Sequence, residues 1–234
     1  MSGSPAGWLD PSPRAADTTA PINPHLATEW QTWGALSADA RLGLLAVHGR
    51  GQSPDFMRTL CERIGADGTL DDVAALAPRA AESSWYPKPF MQPVVSNQPR
   101  LDQALAAIDA GLARFDAAGI EPARVVLLGF SQGACLLSQF ALTRPRRYAA
   151  LLLMAGGYIG GDSAPAAFEG DLAATPALLR CASDDAWVPA ARVEQTAAEL
   201  RRLGAVVDVE IEPGSEHIVT DASIGAVRRL LRQL

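Results

Sequence analysis

Cysteine is scarce in this chain of 234 residues, and its spacing fits neither a disulfide framework nor a zinc site. The three cysteines, Cys61, Cys135 and Cys181, are an odd number, lie far apart and form no C-x-x-C pair. This pattern disfavours a disulfide-stabilised scaffold and a structural zinc site. Unpaired thiols are typical of a reducing compartment, so we expect a cytoplasmic location.

Long hydrophobic runs and basic segments are also missing. The longest apolar stretch spans residues 149–155, far fewer than the roughly 20 residues that cross a bilayer. The first ten residues have neither the basic start nor the apolar run of a signal peptide. The net charge is −6, from 26 acidic and 20 basic residues, which disfavours nucleic acid or an anionic membrane as the main partner. We therefore expect a soluble protein.

Length and hydrophobic pattern indicate one α/β domain. With 234 residues, 48% of them hydrophobic, the chain can bury a core without covalent cross-links. Residues 1–25 are rich in Pro, Ser, Ala and Thr, which predicts a poorly ordered N-terminal arm. In residues 26–234, short β-like runs alternate with helical patterns. This alternation predicts a mostly parallel central sheet with helices on both faces and no large cap domain.

The individual elements follow from apolar runs and helical spacing. Six apolar runs predict buried strands, at residues 42–47, 73–77, 124–129, 149–154, 177–181 and 205–211. Residues 28–34 predict an additional antiparallel edge strand. Apolar residues at helical spacing, or Pro and Gly at the boundaries, predict helices at residues 99–118, 132–142, 190–203 and 221–232.

The strongest functional signal is the sequence G-F-S-Q-G at residues 129–133. The pattern G-x-S-x-G is weak by itself, because it also arises by chance. Here a predicted buried strand precedes it and a predicted helix follows it, so Ser131 lies at a strand–turn–helix corner. Such a nucleophile elbow exposes a serine hydroxyl on a strained turn. The alternative is a plain glycine-rich turn with an ordinary serine.

A serine hydroxyl is a poor nucleophile until a base takes its proton, and the chain has only three histidines. His25 lies in the Pro-rich lead-in, where we expect a surface position. His217 lies between the last predicted strand and the last helix, at the same carboxyl edge of the sheet as Ser131. We therefore predict that His217 is the base. The alternative is a loop histidine that only neighbours a helix cap.

The histidine in turn needs a carboxylate to orient it. In this architecture the acid lies between the serine and the histidine in chain order, and the strand at residues 177–181 is followed by Asp184 and Asp185. Spacing alone does not choose between these two, and a solvated acidic turn is the alternative. Asp162 and Asp171 follow an earlier strand and are less favoured.

Two backbone N–H groups are needed to stabilise the negative charge that develops on a carbonyl oxygen. Gln132, directly after the nucleophile, supplies one of them. The loop H-G-R-G at residues 48–51 follows the first core strand, and Arg50 is the candidate for the other. His48 could instead bind a metal, but no Cys, Asp or second His lies near it at ligand spacing. We therefore expect neither a metal nor a cofactor.

With these motifs the chain resembles the phospholipase/carboxylesterase branch of the α/β-hydrolases, which includes acyl-protein thioesterases and small bacterial carboxylesterases. The resemblance covers roughly residue 42 to the C-terminus. It rests on the motifs at residues 48–51, 119–133, 185–189 and 214–217. It implies an α/β-hydrolase fold and the activity of a serine esterase.

The resemblance also implies roles for individual residues. It implies Ser131 and His217 as catalytic partners, with Arg50 and Gln132 donating to the oxyanion. It selects Asp185 over its neighbour as the acid, because the family's acid lies four residues before a proline.

Arg50 departs from that family, which commonly has an apolar residue beside the oxyanion hole. A charged side chain there could bind a carboxylate or phosphate on the substrate, or it could point into solvent. We favour solvent.

The substrate-binding surface has fewer signals. The Pro-rich segment at residues 83–91 carries large apolar side chains in a region expected near the catalytic edge. Its candidate substrate-binding residues are Trp85, Tyr86, Phe90 and Met91. The alternative is a hydrophobic loop packed onto the body of the protein. Residues 156–173, with small and flexible side chains, could form the opposite wall.

The sequence thus predicts a hydrolase of small-molecule carboxylic esters that works through an acyl-enzyme. One alternative is the same triad acting on thioesters or lysophospholipids. Another is a hydrolase-fold binding protein without useful turnover. A homodimer is compatible with the sequence, and a dinucleotide-binding fold is disfavoured because no G-x-G-x-x-G follows the first core strand.

Overall fold

The computed structural model describes residues 22–161 and 168–234. In these residues seven strands form a single sheet. They are β1 (Gln31–Trp33), β2 (Leu42–Val47), β3 (Val73–Ala77), β4 (Val125–Phe130), β5 (Ala150–Met154), β6 (Pro176–Ala182) and β7 (Val206–Glu212). The α-helices of the same residues are α1 (Pro54–Gly65), α2 (Arg100–Ala117), α3 (Gln132–Thr143), α4 (Ala190–Arg202) and α5 (Asp221–Leu231).

The strand order across the sheet is β1-β3-β2-β4-β5-β6-β7. All neighbouring strands are parallel except β1, which pairs antiparallel with β3. The predicted edge strand at residues 28–34 is therefore confirmed, although only three of its residues are extended. The mostly parallel sheet with its helices confirms the predicted α/β-hydrolase fold.

The order of the strands explains why helices cover both faces. The chain moves from β2 towards one edge to form β3, and then reverses and builds β4 to β7 towards the other edge. Because parallel crossovers are right-handed, this reversal puts α1 on one face and α2, α3 and α4 on the other. α5 packs against α1. The reversal leaves β2 and β4 side by side, and the carboxyl ends of strands at such a switch point are where α/β proteins bind ligands.

The central strands are covered from both sides. Every residue of β2, β3, β4 and β5 is buried, whereas exposed and partly buried residues alternate along most of the edge strand β7. This contrast explains why the inner strands are continuous apolar runs in the sequence. The sheet therefore provides a rigid base for the loops at its carboxyl edge.

α2 is the longest helix and was expected from its apolar spacing. It buries the face that contains Leu101, Leu105, Ile108, Leu112 and Phe115. Polar residues occupy the opposite face, as in an amphipathic surface helix. Within residues 22–161 and 168–234, no helix combines the length and the apolar character needed to traverse a bilayer.

α1 is a helix that the sequence analysis did not predict. Its first turn begins with Pro54, and the hydroxyl of Ser53 caps it by accepting a hydrogen bond from a backbone N–H. Met57, Leu60, Cys61 and Ile64 are buried on one side. Their spacing is that of an amphipathic helix. The apolar spacing, the cap and the proline were therefore the available indications of the helix.

The surface position expected for His25 is wrong. Its side chain is fully buried, its ring lies 5.3 Å from that of Trp85, and its Nδ1 accepts a hydrogen bond from the backbone N–H of Ala81. Burial, reinforced by the nearby positive charge of Arg100, lowers the pKa of His25 to about 4. Of the predicted N-terminal arm, residues 1–21 lie outside the described residues.

The buried imidazole predicts a dependence of stability on pH. In the unfolded chain His25 takes up a proton below about pH 6.5, whereas in the folded protein it stays neutral until about pH 4. The free energy of unfolding should therefore fall as the pH drops through this interval. Urea unfolding at pH 7 and pH 5 should show a larger loss for the wild type than for His25→Gln. Equal losses in the two proteins would contradict this origin.

Candidate active site

Ser131 occupies the corner between β4 and α3. Its backbone has φ 54° and ψ −121°, a conformation that L-residues rarely adopt. Its N–H donates to the carbonyl of Met154 on β5, at 2.9 Å, and its own carbonyl accepts from the N–H of Cys135. The neighbouring strand and helix thus hold the strained turn in place. This geometry is that of a nucleophile elbow.

The two glycines of the elbow are required by close contacts rather than by unusual backbone angles. A Cβ atom on Gly133 would lie 2.1 Å from the carbonyl oxygen of Val47, at the end of β2. One on Gly129 would lie 2.7 Å from the backbone of Ala134. Any side chain at either position would separate the elbow from the adjacent strand and helix.

His217 lies in the loop between β7 and α5, and its ring reaches Ser131. Its Nε2 is 2.8 Å from the hydroxyl oxygen of Ser131, and its Nδ1 is 2.6 Å from a carboxylate oxygen of Asp185. The ring of Phe130 packs against the imidazole at a centroid distance of 5.1 Å. Hydroxyl, imidazole and carboxylate therefore form one continuous hydrogen-bonded chain.

Asp185, rather than Asp184, faces the histidine. Its second oxygen accepts hydrogen bonds from the backbone N–H groups of Trp187 and Val188, at 2.8 and 3.0 Å. Asp184 instead bonds to the neighbouring Ser183 hydroxyl at the surface. The alternative acids do not enter the site, because Asp171 accepts from a backbone N–H in its own loop and Asp162 lies outside the described residues.

The environment of Asp185 keeps the carboxylate ionised. Partial burial alone would raise its pKa, but the hydrogen bonds from His217 and from two backbone N–H groups outweigh burial and lower the pKa. An ionised carboxylate only accepts hydrogen bonds, so the imidazole carries its proton on Nδ1 and leaves Nε2 free to accept from Ser131. His217 is therefore in the tautomer that a general base requires.

Gln132 directly follows Ser131 in the chain, and Arg50 lies in the loop after β2. Gln132 begins α3, where the first N–H groups have no partner within the helix. Its side chain accepts from the N–H of Trp85 at 3.0 Å and donates to the carbonyl of Tyr86 at 2.9 Å. Both Gln132 and Arg50 border the same cavity as Ser131.

Arg50 is an exposed residue, and its guanidinium forms hydrogen bonds with the protein backbone. It donates to three consecutive backbone carbonyls, those of Tyr86, Pro87 and Lys88, at 2.7, 3.1 and 3.2 Å. Arg50 therefore connects the loop after β2 to the loop after β3.

His48 is a structural residue of the same loop. One of its ring nitrogens lies 2.7 Å from the carbonyl of Gly49, and the other accepts a hydrogen bond from the N–H of Ala80. Because both nitrogens have backbone partners, His48 does not offer a metal ligand. Among residues 22–161 and 168–234, no group of three or more His, Cys, Asp or Glu side chains is arranged to hold a metal ion.

A cavity of about 520 Å³ opens beside Ser131. Of the predicted substrate-binding residues, Tyr86 and Phe90 border it, and Trp85 and Met91 do not. Trp85 is fully buried, its ring packs at a tilt against the rings of His25 and His48, and its indole N–H donates to the carbonyl of His48. The expectation for Trp85 is thus corrected, because its side chain belongs to the core beneath the loop.

Met91 is half-buried against the core outside the cavity. The opposite wall is also different from the one expected at residues 156–173, because none of the described residues of that segment borders the cavity, and residues 162–167 are outside the described part of the chain. Trp187 and Val188, which follow the acid, contribute instead. Trp187 and Val188 lie two and three positions after Asp185, and this closeness to the acid was the sequence signal for this wall.

Cys135 also borders the cavity and was not anticipated there. Burial raises the pKa of its thiol to about 12. The thiol therefore stays protonated at neutral pH and does not compete with Ser131 as a nucleophile.

Comparison with solved structures gives three informative neighbours. A phospholipase/carboxylesterase from Dyadobacter fermentans is 32% identical with a TM-score of 0.82, over 87% of this chain and 96% of the other. The esterase PE8 is 24% identical with a TM-score of 0.71, over 87% and 97%. SOBER1 from Arabidopsis thaliana is 20% identical with a TM-score of 0.70, over 83% and 99%. The last two similarities establish the fold alone.

None of the functionally curated proteins matches the sequence significantly. The family model described as phospholipase/carboxylesterase matches residues 72–234, which is most of the chain and includes the elbow, the acid loop and the histidine loop. Together with the Dyadobacter neighbour, this match shows a serine-esterase-type hydrolase of carboxylic esters. The chain therefore belongs to the phospholipase/carboxylesterase family of α/β-hydrolases.

Proposed function

We propose that the protein hydrolyses neutral carboxylic esters with Ser131 as nucleophile, His217 as general base and Asp185 as the acid that orients it. One observation carries the proposal: Ser131, His217 and Asp185 are joined by hydrogen bonds of 2.8 and 2.6 Å at the carboxyl edge of the sheet. Three residues spread over 87 positions of the chain (131 to 217) meet there in the order that acyl transfer requires.

Acylation begins when the Ser131 hydroxyl attacks the ester carbonyl carbon. The hydroxyl proton moves to Nε2 of His217 as the new C–O bond forms, and Asp185 stabilises the resulting imidazolium. The carbonyl π electrons move onto oxygen, where the N–H groups of Gln132 and Arg50 donate to the oxyanion. The carbonyl then re-forms, the bond to the alcohol oxygen breaks, and Nε2 returns its proton to that oxygen.

Deacylation repeats the same steps with water as the nucleophile. His217 removes a proton from water, and the hydroxide oxygen bonds to the acyl carbon of the Ser131 ester. When the tetrahedral intermediate collapses, the bond to Ser131 breaks and His217 returns the proton to the serine oxygen. One ester and one water thus give one acid and one alcohol.

The lining of the cavity beside Ser131 favours ester substrates that have apolar acyl groups. Its walls include Tyr86, Phe90, Trp187 and Val188, and none of the carboxylates in the described part of the chain borders it. Trp187 is 74% exposed. Arg50, the one charged side chain among the described lining residues, already donates to three carbonyls. A neutral, apolar acyl chain therefore suits the cavity better than an ionic one.

Removal of the nucleophile tests the mechanism directly. Ser131→Ala should lower kcat/KM for p-nitrophenyl butyrate by a factor on the order of 10⁴ and leave the melting temperature nearly unchanged. A fluorophosphonate probe should label the wild type at Ser131 and not label the variant. Retained turnover in a pure, folded Ser131→Ala protein would exclude the proposed mechanism.

The adjacent aspartates provide a matched pair of variants. Asp185→Asn should lower kcat by about 10³ to 10⁴, because an amide no longer holds the imidazole in the Nδ1-protonated tautomer. Asp184→Asn makes the same chemical change one position away and should alter kcat by less than about threefold, since Asp184 is at the surface. Equal effects of the two substitutions would contradict the assignment of the acid.

The hydrogen bonds of the Arg50 side chain support a role for this residue in positioning the loop at residues 84–88, part of which lines the cavity beside Ser131. Both proposed oxyanion donors, Gln132 and Arg50, also hold the loop at residues 84–88 through their side chains. The N–H groups and the cavity wall are thereby fixed relative to each other. A guanidinium group can donate hydrogen bonds to several carbonyls at once because its N–H donors lie in one plane.

Arg50→Met retains the backbone N–H and the stem of the side chain but removes all three of these hydrogen bonds. We expect kcat/KM to fall about tenfold or more, mainly through KM for esters that fill the cavity, and Arg50→Lys to recover only part of the loss. Rates for acetate and hexanoate esters should be measured with both variants. If Arg50→Met matches the wild type on both esters, the side chain has no positioning role.

A further inference from the structure

A second cavity, of about 280 Å³, lies next to the first, and His217 borders both. We name the first the Ser131 cavity and the second the α1 cavity, because α1 forms much of its wall. Apolar side chains dominate the lining of the α1 cavity, and they are Phe56, Leu60, Phe130, Ile218 and Val219. Phe130 packs on the His217 ring at 5.1 Å and on Phe56 at 5.2 Å.

The α1 cavity also approaches the nucleophile through Gly49. Gln52, which borders the α1 cavity, accepts a hydrogen bond from the N–H of Gly49 at 2.9 Å. A Cβ atom built on Gly49 would lie 3.1 Å from Cβ of Ser131. Gly49 therefore contacts both Gln52, which borders the α1 cavity, and the nucleophile.

The chemistry of acyl transfer distinguishes the two cavities. The acyl group stays bonded to Ser131, so it must occupy a space that Ser131 and the oxyanion donors border, as they border the Ser131 cavity. The alcohol oxygen takes its proton from Nε2 of His217 and departs. The α1 cavity borders His217 but neither Ser131, Gln132 nor Arg50.

We propose that the α1 cavity binds the alcohol part of the ester, and that it favours a neutral aromatic or similarly bulky apolar alcohol. This inference rests on the proposed function. The rings of Phe56 and Phe130, which pack against each other at a tilt of 31°, offer an aromatic surface beside the departing group. Among the described residues that line the α1 cavity, Arg63 is the one cation, and it donates to the carbonyl of Val219 and to Asp221, the latter at 2.9 Å, so it does not call for an anionic alcohol.

Thr59 allows the cavity to be filled without disturbing the core. It is an exposed residue of α1 that borders the α1 cavity, so Thr59→Trp narrows the space from the surface. Arg58 is the matched control, because it is exposed on the same helix and does not border the cavity. Ile218→Trp, from the opposite wall, is a second cavity variant in case the first fails to fold.

The first measurement compares benzyl butyrate with ethyl butyrate, which share an acyl group. Thr59→Trp should lower the benzyl-to-ethyl ratio of kcat/KM by about tenfold, and Arg58→Trp should keep the ratio within about twofold of wild type. A loss that is equal for the two esters, or no loss for the benzyl ester, would overturn the assignment.

A second measurement uses one acyl-enzyme and varies only the acceptor. p-Nitrophenyl butyrate forms the butyryl-enzyme, which then reacts either with water or with added benzyl alcohol. Reaction with water gives butyrate and reaction with the alcohol gives benzyl butyrate, and the ratio of benzyl butyrate to butyrate is measured. Because transfer to an alcohol is the reverse of acylation, Thr59→Trp should lower this ratio about tenfold relative to Arg58→Trp. An unchanged ratio in Thr59→Trp and Ile218→Trp would overturn the inference.

The outcomes also separate the two proposals. If butyrate release requires Ser131 but filling the α1 cavity alters neither ratio, the ester mechanism stands and the alcohol site is wrong. If Ser131→Ala retains full activity, or if the wild type hydrolyses none of these esters, the proposed function and the alcohol site both fail.

Discussion

The contact between the start of α3 and the end of β2 is the constraint on which the site depends. Gly133 lies so close to the carbonyl of Val47 that a Cβ atom would be 2.1 Å from it. This contact brings the elbow against the loop that carries Arg50, since β2 and β4 are neighbours in the sheet. It arises because the chain reverses direction between β3 and β4, which leaves the ends of β2 and β4 adjacent.

Hydrogen bonds to backbone atoms hold the remaining loops around that contact. Asp185 accepts from two N–H groups of its own turn as well as from His217. The loop after β3 is held by the side chains of Arg50 and Gln132, and its Trp85 is bonded to the carbonyl of His48. Each of these polar groups has a hydrogen-bond partner, so the loops are held against one another at the carboxyl edge of the sheet. Acyl transfer requires such rigidity, because its donors must point at the oxyanion before it forms.

The two cavities follow from the same arrangement. His217 enters between the elbow and α1, with the ring of Phe130 behind it, and space remains on either side of the imidazole. The first cavity borders both Ser131 and His217, and the second borders His217 but not Ser131. An ester has two parts with different fates, and in the proposed mechanism a site divided by His217 can recognise both. The apolar walls and the engaged guanidinium groups favour neutral groups in each.

Much of the architecture could be predicted from the sequence because it depends on local patterns. Buried parallel strands are continuous apolar runs, so the central strands, the edge strand and four helices were expected at nearly the correct residues. α1 was not expected, because its apolar face consists of only a few residues spaced along the helix and its cap is a weak signal. His25 was misplaced, because its burial depends on the distant Trp85 rather than on its own Pro-rich neighbourhood.

The sequence by itself determined which residue types could act, since the elbow, three histidines and a pair of aspartates left few choices. Only the tertiary structure decided how they are used. It turned Arg50 onto three carbonyls, buried Trp85 while exposing Trp187, and brought Asp185, which the family resemblance had already favoured, to the imidazole. Each of these outcomes depends on contacts between segments far apart in the chain, and local spacing contains no information about such contacts.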